Sequence, residues 1–151
     1  MKRLACLAAL AILVAGPVRA DDRGAEVARF MEEYLRLWNA HDARTITERI
    51  YRFDRPTPMG TLSGLESEFA RLKAQGYDHS DRSSIEACLV GRDLALVEFR
   101  FSRLKADGTP LPPKDRVTLY FVRRFADGWR ITQLIGMDAT ANITCSSAVA
   151  G

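Results

Sequence analysis

Two runs of alternating apolar and polar residues, at 93–104 and 116–125, are the clearest indication of how this chain folds. In the first run every second residue is apolar, which places four apolar side chains on one face: Ala95, Val97, Phe99 and Phe101. A period of two residues is typical of a β-strand with one buried face. An Asp-Gly pair and clustered prolines separate the two runs and indicate a turn. The two runs therefore predict a β-hairpin.

Two further strands extend this hairpin into a meander. Residues 83–90 precede it and end at a Gly-Arg turn, and residues 129–137 follow it after Ala-Asp-Gly, a tight-turn signal. In the last strand, strict alternation predicts one shared face for Trp129, Ile131, Gln133, Ile135 and Met137. The charged residues of these strands are Glu98, Arg100, Arg103, Arg116, Arg123 and Arg124. We expect a cross-strand lattice of these charges on the solvent or partner face, with an anion site as the alternative.

The N-terminal half supplies helices to cover the sheet. Residues 24–40 carry apolar side chains at helical spacing. Asp42 is predicted to cap a short second helix, and Ser63, with Glu66 as its capping-box partner, a third helix over residues 64–75. Residues 53–58, with two prolines, are predicted to be extended or looping. The predicted fold is α+β, with three N-terminal helices packed on a curved antiparallel β-meander.

Residues 1–20 have the pattern of a secretory signal peptide. Two basic residues precede a short apolar run, and small residues occupy the positions before a cleavage point at Asp21. The sequence therefore predicts export to the periplasm or secretion. It divides into this signal, a single domain over residues 21–138, and a C-terminal tail over residues 139–151.

The mature chain is predicted to be electrically neutral. Cleavage removes Lys2, Arg3 and Arg19, which lowers the count of Lys and Arg from 22 to 19, equal to the 19 Asp and Glu. The basic character of the whole chain thus belongs to the signal. We expect no nucleic-acid partner and no membrane association after cleavage.

The two cysteines beyond the signal, Cys88 and Cys145, lie in a predicted strand and in the tail. In an oxidising compartment a disulfide that fastens the tail across the sheet is favoured over two free thiols. No His or Cys lies at metal-ligand spacing from them, so no metal site is predicted. No cofactor is predicted, because the sequence has no Gly-rich phosphate loop, HExxH, CxxC or nucleophile elbow.

The order of elements resembles the nuclear transport factor 2-like superfamily, which includes polyketide-cyclase-like and ketosteroid-isomerase-like proteins. The resemblance covers nearly all of the mature chain. It is most specific at residues 34–42, YLRLWNAHD, and at the hairpin of residues 125–131, FADGWRI. It implies a cone whose wide end is a pocket, and often a homodimer formed through the sheet. Members of the superfamily include enzymes, binding modules and structural domains.

Aromatic residues on the predicted inner faces would line such a pocket. Besides Tyr34, the candidates are Trp38, Phe53, Phe69, Phe99 and Tyr120. Aromatic walls bury a large area and suit a flat, apolar small molecule. The leading hypothesis is therefore an exported protein that binds such a molecule.

An enzyme of the isomerase, cyclase or dehydratase type is the first alternative. The resemblance to ketosteroid isomerases implies Tyr34 as an oxyanion donor and Asp54 as the nearest counterpart of the general base. The strand that supplies a second, acidic donor in those enzymes reads LYFVRRF here and has no acid. His41 could form an acid–base pair with Asp54 if the two converged. A homodimeric structural or interaction module, with its pocket filled by its own side chains, is the second alternative.

Overall fold

This computed structural model describes residues 20–143 and 145, with side chains from Asp22 onward. The helical elements are α1 (Ala20–Asn39), α2 (Ala43–Thr45), a π-helical turn (Ile46–Ile50), a 3-10 turn (Pro58–Gly60) and α3 (Leu62–Ala74). The strands are β1 (His79–Val90), β2 (Leu94–Leu104), β3 (Arg116–Phe125) and β4 (Gly128–Met137). They form one antiparallel sheet in the order β1-β2-β3-β4. The predicted α+β class, with three helices preceding a meander, is confirmed.

The predicted signal peptide lies outside the described residues except for Ala20, where α1 begins. None of the helices in the part of the chain that the structure describes is both long and apolar enough to span a bilayer.

Helix α1 packs a stripe of apolar side chains against the sheet. These side chains are buried and recur every three or four residues: Val27, Met31, Tyr34, Leu37 and Trp38. At the end of the helix, the Asn39 amide nitrogen donates to the Ser80 carbonyl at 3.0 Å, and the Asn39 amide oxygen accepts from the Ser80 backbone nitrogen at 2.9 Å. This two-way bond fastens the end of α1 to β1.

Helix α2 and the π-helical turn lead the chain to the edge of β4. The Asp42 side chain accepts a hydrogen bond from the Thr45 backbone nitrogen, as predicted for the cap. Tyr51 ends the turn in an extended conformation and forms a parallel bridge with Ile131. Backbone bonds from Arg52 and Asp54 to β4 carbonyls continue this attachment. The extended segment predicted here is thus a short addition to the sheet edge.

The cap of α3 is Thr61, not Ser63 as predicted. Thr61 has an extended backbone (φ −109°, ψ 149°), and its hydroxyl oxygen accepts from the Gly64 backbone nitrogen at 3.1 Å. Ser63 already lies within the helix, where its carbonyl accepts from the Ser67 hydroxyl. The 3-10 turn before the helix determines the outcome, because the Thr61 hydroxyl also donates to the Pro58 carbonyl of that turn.

Strand β1 begins at His79, four residues before the predicted start. Its first residues are polar, and for that reason the apolar pattern did not extend the predicted strand to them. As an edge strand, β1 pairs only with β2, from His79 opposite Leu104 to Val90 opposite Leu94. An edge strand accommodates polar side chains because one of its sides faces solvent. The register shifts between Arg82 and Ser84, where a bulge bends the strand.

A second bulge in β4 overturns the predicted alternation of that strand. Ile131 pairs with Val122, but Gln133 pairs with Phe121, so Thr132 is an extra residue. Beyond the bulge Leu134 pairs with Tyr120 and faces the helices. Gln133 and Ile135, predicted to share the face of Trp129, are instead exposed on the outer face.

The described part of the C-terminal tail crosses the outer face of the sheet. The Arg100 guanidinium on β2 donates to the carbonyls of Ala139, at 3.0 Å, and Ala141. Further along, Cys145 forms a disulfide with Cys88 on β1, with the two Cα atoms 5.3 Å apart. The tail therefore occupies part of the face through which a sheet-mediated homodimer would form.

Glu98 lies beneath this tail, and the charge lattice expected on the solvent or partner face is wrong in two respects. The Glu98 side chain is only 2% exposed; its carboxylate accepts from the Arg100 Nε at 2.6 Å and from the Ile143 backbone nitrogen at 2.6 Å. In addition, Arg116 pairs with Phe101 and lies with Arg103 on the inner face. The alternation along a strand predicts which residues share a face of the sheet, but not which other part of the chain covers that face.

Candidate functional site

A cavity of about 320 Å³ lies between α1, α3 and the inner face of the sheet. Most of its wall is apolar or aromatic and includes Tyr34, Trp38, Phe99, Phe101, Tyr120 and Leu134. The helical spacing of α1 and the period of two in β2 and β3 turn these side chains to the same interior. Such a wall favours an apolar occupant because it removes apolar surface from water without leaving polar groups unpaired.

Three buried tyrosines, Tyr34, Tyr51 and Tyr120, pack together beside the cavity, and two of them, Tyr34 and Tyr120, line it. The hydroxyl oxygens of Tyr34 and Tyr51 are 2.9 Å apart and share a hydrogen bond, and the rings of Tyr34 and Tyr120 lie 5.6 Å apart, edge to face. Burial raises the pKa of Tyr34 well above its usual value, raises the pKa of Tyr51, and raises the pKa of Tyr120 to about 12. The cluster therefore offers neutral hydroxyls that can donate and accept hydrogen bonds.

The raised pKa of Tyr120 makes stability depend on alkaline pH. Its folded pKa of about 12 exceeds the usual value of 10, so the unfolded chain loses the proton first and stability falls as pH rises above about 10. Tyr120→Phe lacks this ionisation. The difference in unfolding free energy, variant minus original chain, should therefore rise by about 1.4 kcal/mol between about pH 9 and pH 11. Urea unfolding at both pH values measures this, and equal losses in the two proteins would contradict it.

Besides the tyrosine hydroxyls, the polar groups of the cavity wall that the structure describes are one carboxylate, one guanidinium and two aliphatic hydroxyls. The Glu68 carboxylate is held on both oxygens by Arg71, at 2.8 and 2.6 Å. The Ser80 hydroxyl is hydrogen-bonded to the Tyr77 hydroxyl at 2.9 Å. Arg103 differs from these, because its Nε is buried and has no hydrogen-bond partner among the described residues. Thr118 supplies the remaining hydroxyl.

The predicted pocket residues divide between this cavity and its surroundings. Trp38, Phe99 and Tyr120 line it. Phe69 is buried behind Trp38, with the two ring centroids 4.8 Å apart, and supports the wall. Phe53 lines an adjoining, more polar cavity of about 720 Å³.

The three predicted catalytic residues lie in three different places. Tyr34 faces the cavity, whereas Asp54 lines the adjoining cavity with its side chain 59% exposed and one oxygen 3.9 Å from Arg123. His41 is exposed just beyond α1, where its left-handed backbone (φ 53°) ends the helix and its ring lies 5.1 Å from that of Phe69. The structure therefore does not bring Asp54 and His41 together with Tyr34.

Several wall residues were not predicted, and they differ in whether the sequence pattern could have placed them there. Arg103 continues the alternation of Phe99 and Phe101, so the period of β2 could have placed it in the wall. Leu134 had no such signal because the bulge at Thr132 shifts its side chain inward. Met59, from the 3-10 turn, lines both cavities with Leu134 and separates them. Among the described residues, no group of three or more His, Cys, Asp or Glu could hold a metal ion.

The sequence itself places the chain in a family. The profile of the family described as NTF2-like protein (DUF6841) matches residues 55–139, which is more than half of the chain. The chain belongs to this NTF2-like family. Its matched region runs from the segment before α3 to the end of β4 and so includes most of the cavity wall. No curated protein sequence matches the chain.

Solved structures agree with this fold. An NTF2-like protein with a cystatin-like fold from Novosphingobium aromaticivorans is 19% identical, with a TM-score of 0.57 over 77% of this chain and 80% of its own. An NTF2-like superfamily protein from Salmonella enterica is 15% identical, with a TM-score of 0.58 over 87% of this chain and 100% of its own. At these identities the comparison supports the cone-shaped NTF2-like fold and no particular activity.

A third similar structure, also from Novosphingobium aromaticivorans, is described as a candidate aromatic ring hydroxylase. It is 17% identical, with a TM-score of 0.51 over 80% of this chain and 96% of its own. Two of these similar structures are described by their fold or superfamily and one by an activity. The function of this chain has to be argued from its own cavity.

Proposed function

We propose that this NTF2-like chain is an exported protein that binds a small, mainly apolar molecule in the cavity between α1 and the sheet. The observation that carries the proposal is the wall of that cavity. Rings from α1, β2 and β3 surround about 320 Å³, and polar groups form the smaller part of the wall. This composition is typical of small-molecule sites, where apolar area gives affinity and a few polar groups set orientation.

Binding without chemistry is favoured over the enzyme hypothesis by the placement of the acid–base groups. Tyr34 is a neutral hydroxyl at ordinary pH, and burial, which raises its pKa, keeps it neutral at more alkaline pH as well. The carboxylate of the described wall, Glu68, is engaged by Arg71, and Asp54 and His41 lie elsewhere. A neutral hydroxyl can stabilise an oxyanion but cannot take up a proton, so proton transfer would need a base from outside this set.

Export is supported by the predicted signal peptide and by the disulfide between Cys88 and Cys145. Disulfides persist in the periplasm and outside the cell, whereas the cytosol keeps most thiols reduced. This disulfide can hold the tail on β1 only where it is not reduced, which agrees with an exported protein.

Native mass spectrometry of the protein recovered from the exported fraction of its own host tests the proposal. The expected chain begins at Asp21, contains one disulfide and carries a bound small molecule. Leu134→Trp should lose that molecule because the larger ring fills the cavity. Ile135→Trp should retain it, since Ile135 is 43% exposed on the opposite face of the sheet.

The outcomes test binding in this cavity, distinguish it from the homodimeric module and test export. Loss of the molecule from both variants, or from neither, would contradict binding in this cavity. A ligand-free assembly of two chains would contradict the proposal and favour the homodimeric module. A chain that retains residues 1–20 would contradict export.

A further inference from the structure

The cavity wall contains a cation that no residue in the described part of the chain neutralises. Arg103 follows Phe99 and Phe101 at alternate positions of β2, so all three face the cavity. Its Nε is buried without a hydrogen-bond partner, and its guanidinium forms no ion pair within the described part of the chain. Its contacts there include the rings of Tyr77 and Phe101, each with its centroid 6.0 Å from the guanidinium carbon.

The charges around Arg103 do not compensate it. Glu68, in the same wall, already accepts two hydrogen bonds from Arg71. On the neighbouring strand, Arg116 pairs with Phe101, and the pKa of Arg116 is lowered by burial and then by the positive charges of Arg103 and Arg71. This end of the cavity is therefore positively charged in the absence of a ligand.

A partly buried guanidinium with unused donors is unfavourable unless a negative group meets it. Its planar fork matches a carboxylate, which can accept two parallel hydrogen bonds. A group with more oxygens, such as a phosphate monoester, would need further donors, and the Ser80 hydroxyl in this wall is already bonded to Tyr77. Most of the remaining wall is apolar or aromatic, so one end of the occupant should be charged and its body apolar.

We propose that the ligand of this cavity is a small apolar molecule with one carboxylate, and that Arg103 binds this carboxylate. The inference rests on the proposed function and adds the chemical class of the ligand. It also selects, from the charged residues of the strands, the one that serves as an anion site.

A competition assay tests the inference on the folded, disulfide-bonded mature protein. N-phenylnaphthylamine, a neutral fluorescent probe, reports occupancy of the cavity, and naphthoate and its neutral counterpart naphthamide compete with it. Naphthoate should displace the probe at a concentration about tenfold or more lower than naphthamide, because charge-assisted hydrogen bonds exceed neutral ones by this order. Arg103→Met should remove the preference and leave naphthamide binding almost unchanged.

Arg82→Met is the matched control. Arg82 also faces the helices, and its substitution removes the same charge. However, Arg82 is paired with Glu32 and does not line the cavity. It should keep the preference for naphthoate. Arg103→Lys keeps the charge without the fork and should retain part of the preference. If Arg103→Met fails to fold, a preference that is undiminished in Arg103→Lys contradicts the assignment, and a reduced one supports it.

The failures of the two proposals are distinguishable. If the probe binds but naphthoate and naphthamide compete equally, or if Arg103→Met keeps the preference, the carboxylate inference is overturned and apolar binding stands. If the probe does not bind, and native mass spectrometry finds no retained molecule, the proposed function itself fails. Thermal unfolding of Arg103→Met provides a further check: a ligand-binding residue should leave the stability of the empty protein unchanged or higher, whereas a structural residue should lower it.

Discussion

Glu98→Ala is expected to lower the free energy of unfolding by about 3–5 kcal/mol, because it leaves Arg100 without its counter-charge beneath the tail. The Glu98 side chain is 2% exposed and accepts hydrogen bonds from both the Arg100 Nε and the Ile143 backbone nitrogen, each at 2.6 Å. The substitution therefore also removes an acceptor that holds the tail. Urea unfolding of the disulfide-bonded protein measures the effect.

Glu33→Ala is the control for this prediction. Glu33 also accepts two hydrogen bonds, both from Arg36, but both side chains are largely exposed on α1. Exposed pairs contribute between zero and about 1 kcal/mol, so this variant should differ little from the original chain. Losses of similar size in the two variants would show that burial of Glu98 is not what makes its pair important.

Glu98 also illustrates a limit of sequence reasoning. Its position on β2 was predicted, because a period of two fixes which residues share a face. Its burial was not, since the cover comes from a tail about 45 residues later in the chain. Alternation along a strand carries no information about such a distant contact, and a charged residue between apolar ones is typical of a solvent-facing position.

The candidate site could be predicted where regular periods place it. Tyr34 and Trp38 follow from the stripe of α1, and Phe99 and Tyr120 from the inner faces of β2 and β3. Leu134 could not be predicted, because a bulge such as that at Thr132 inserts a residue without requiring a particular amino acid.

The positions of Asp54 and His41 depend on how two connections pack rather than on a period. Asp54 is directed by the backbone bonds that attach residues 52–54 to β4. The direction of the His41 side chain is set by the left-handed backbone of His41 just after α1. Distances along the chain predicted neither direction, and therefore could not show whether the two side chains converge.

Gly64→Ala should destabilise the protein by about 3 kcal/mol, although alanine is the better helix former. A Cβ at Gly64 would overlap the Pro58 carbonyl oxygen and lie 2.5 Å from the Pro58 carbonyl carbon. These are backbone atoms of the 3-10 turn, held by hydrogen bonds from the Thr61 backbone nitrogen and hydroxyl. The turn can move aside only if the cap of α3 is disturbed. Thermal and urea unfolding measure the loss.

Gly24→Ala is the matched control within the same protein. Gly24 also lies in a helix, α1, and a Cβ there would meet nothing within 4 Å. Its replacement should raise the unfolding free energy by up to about 1 kcal/mol, the ordinary gain in helix propensity. The two substitutions are chemically identical, so effects of opposite sign would isolate the contact between α3 and the 3-10 turn. If both substitutions stabilise the protein, the predicted overlap between a Cβ at position 64 and the Pro58 carbonyl is contradicted.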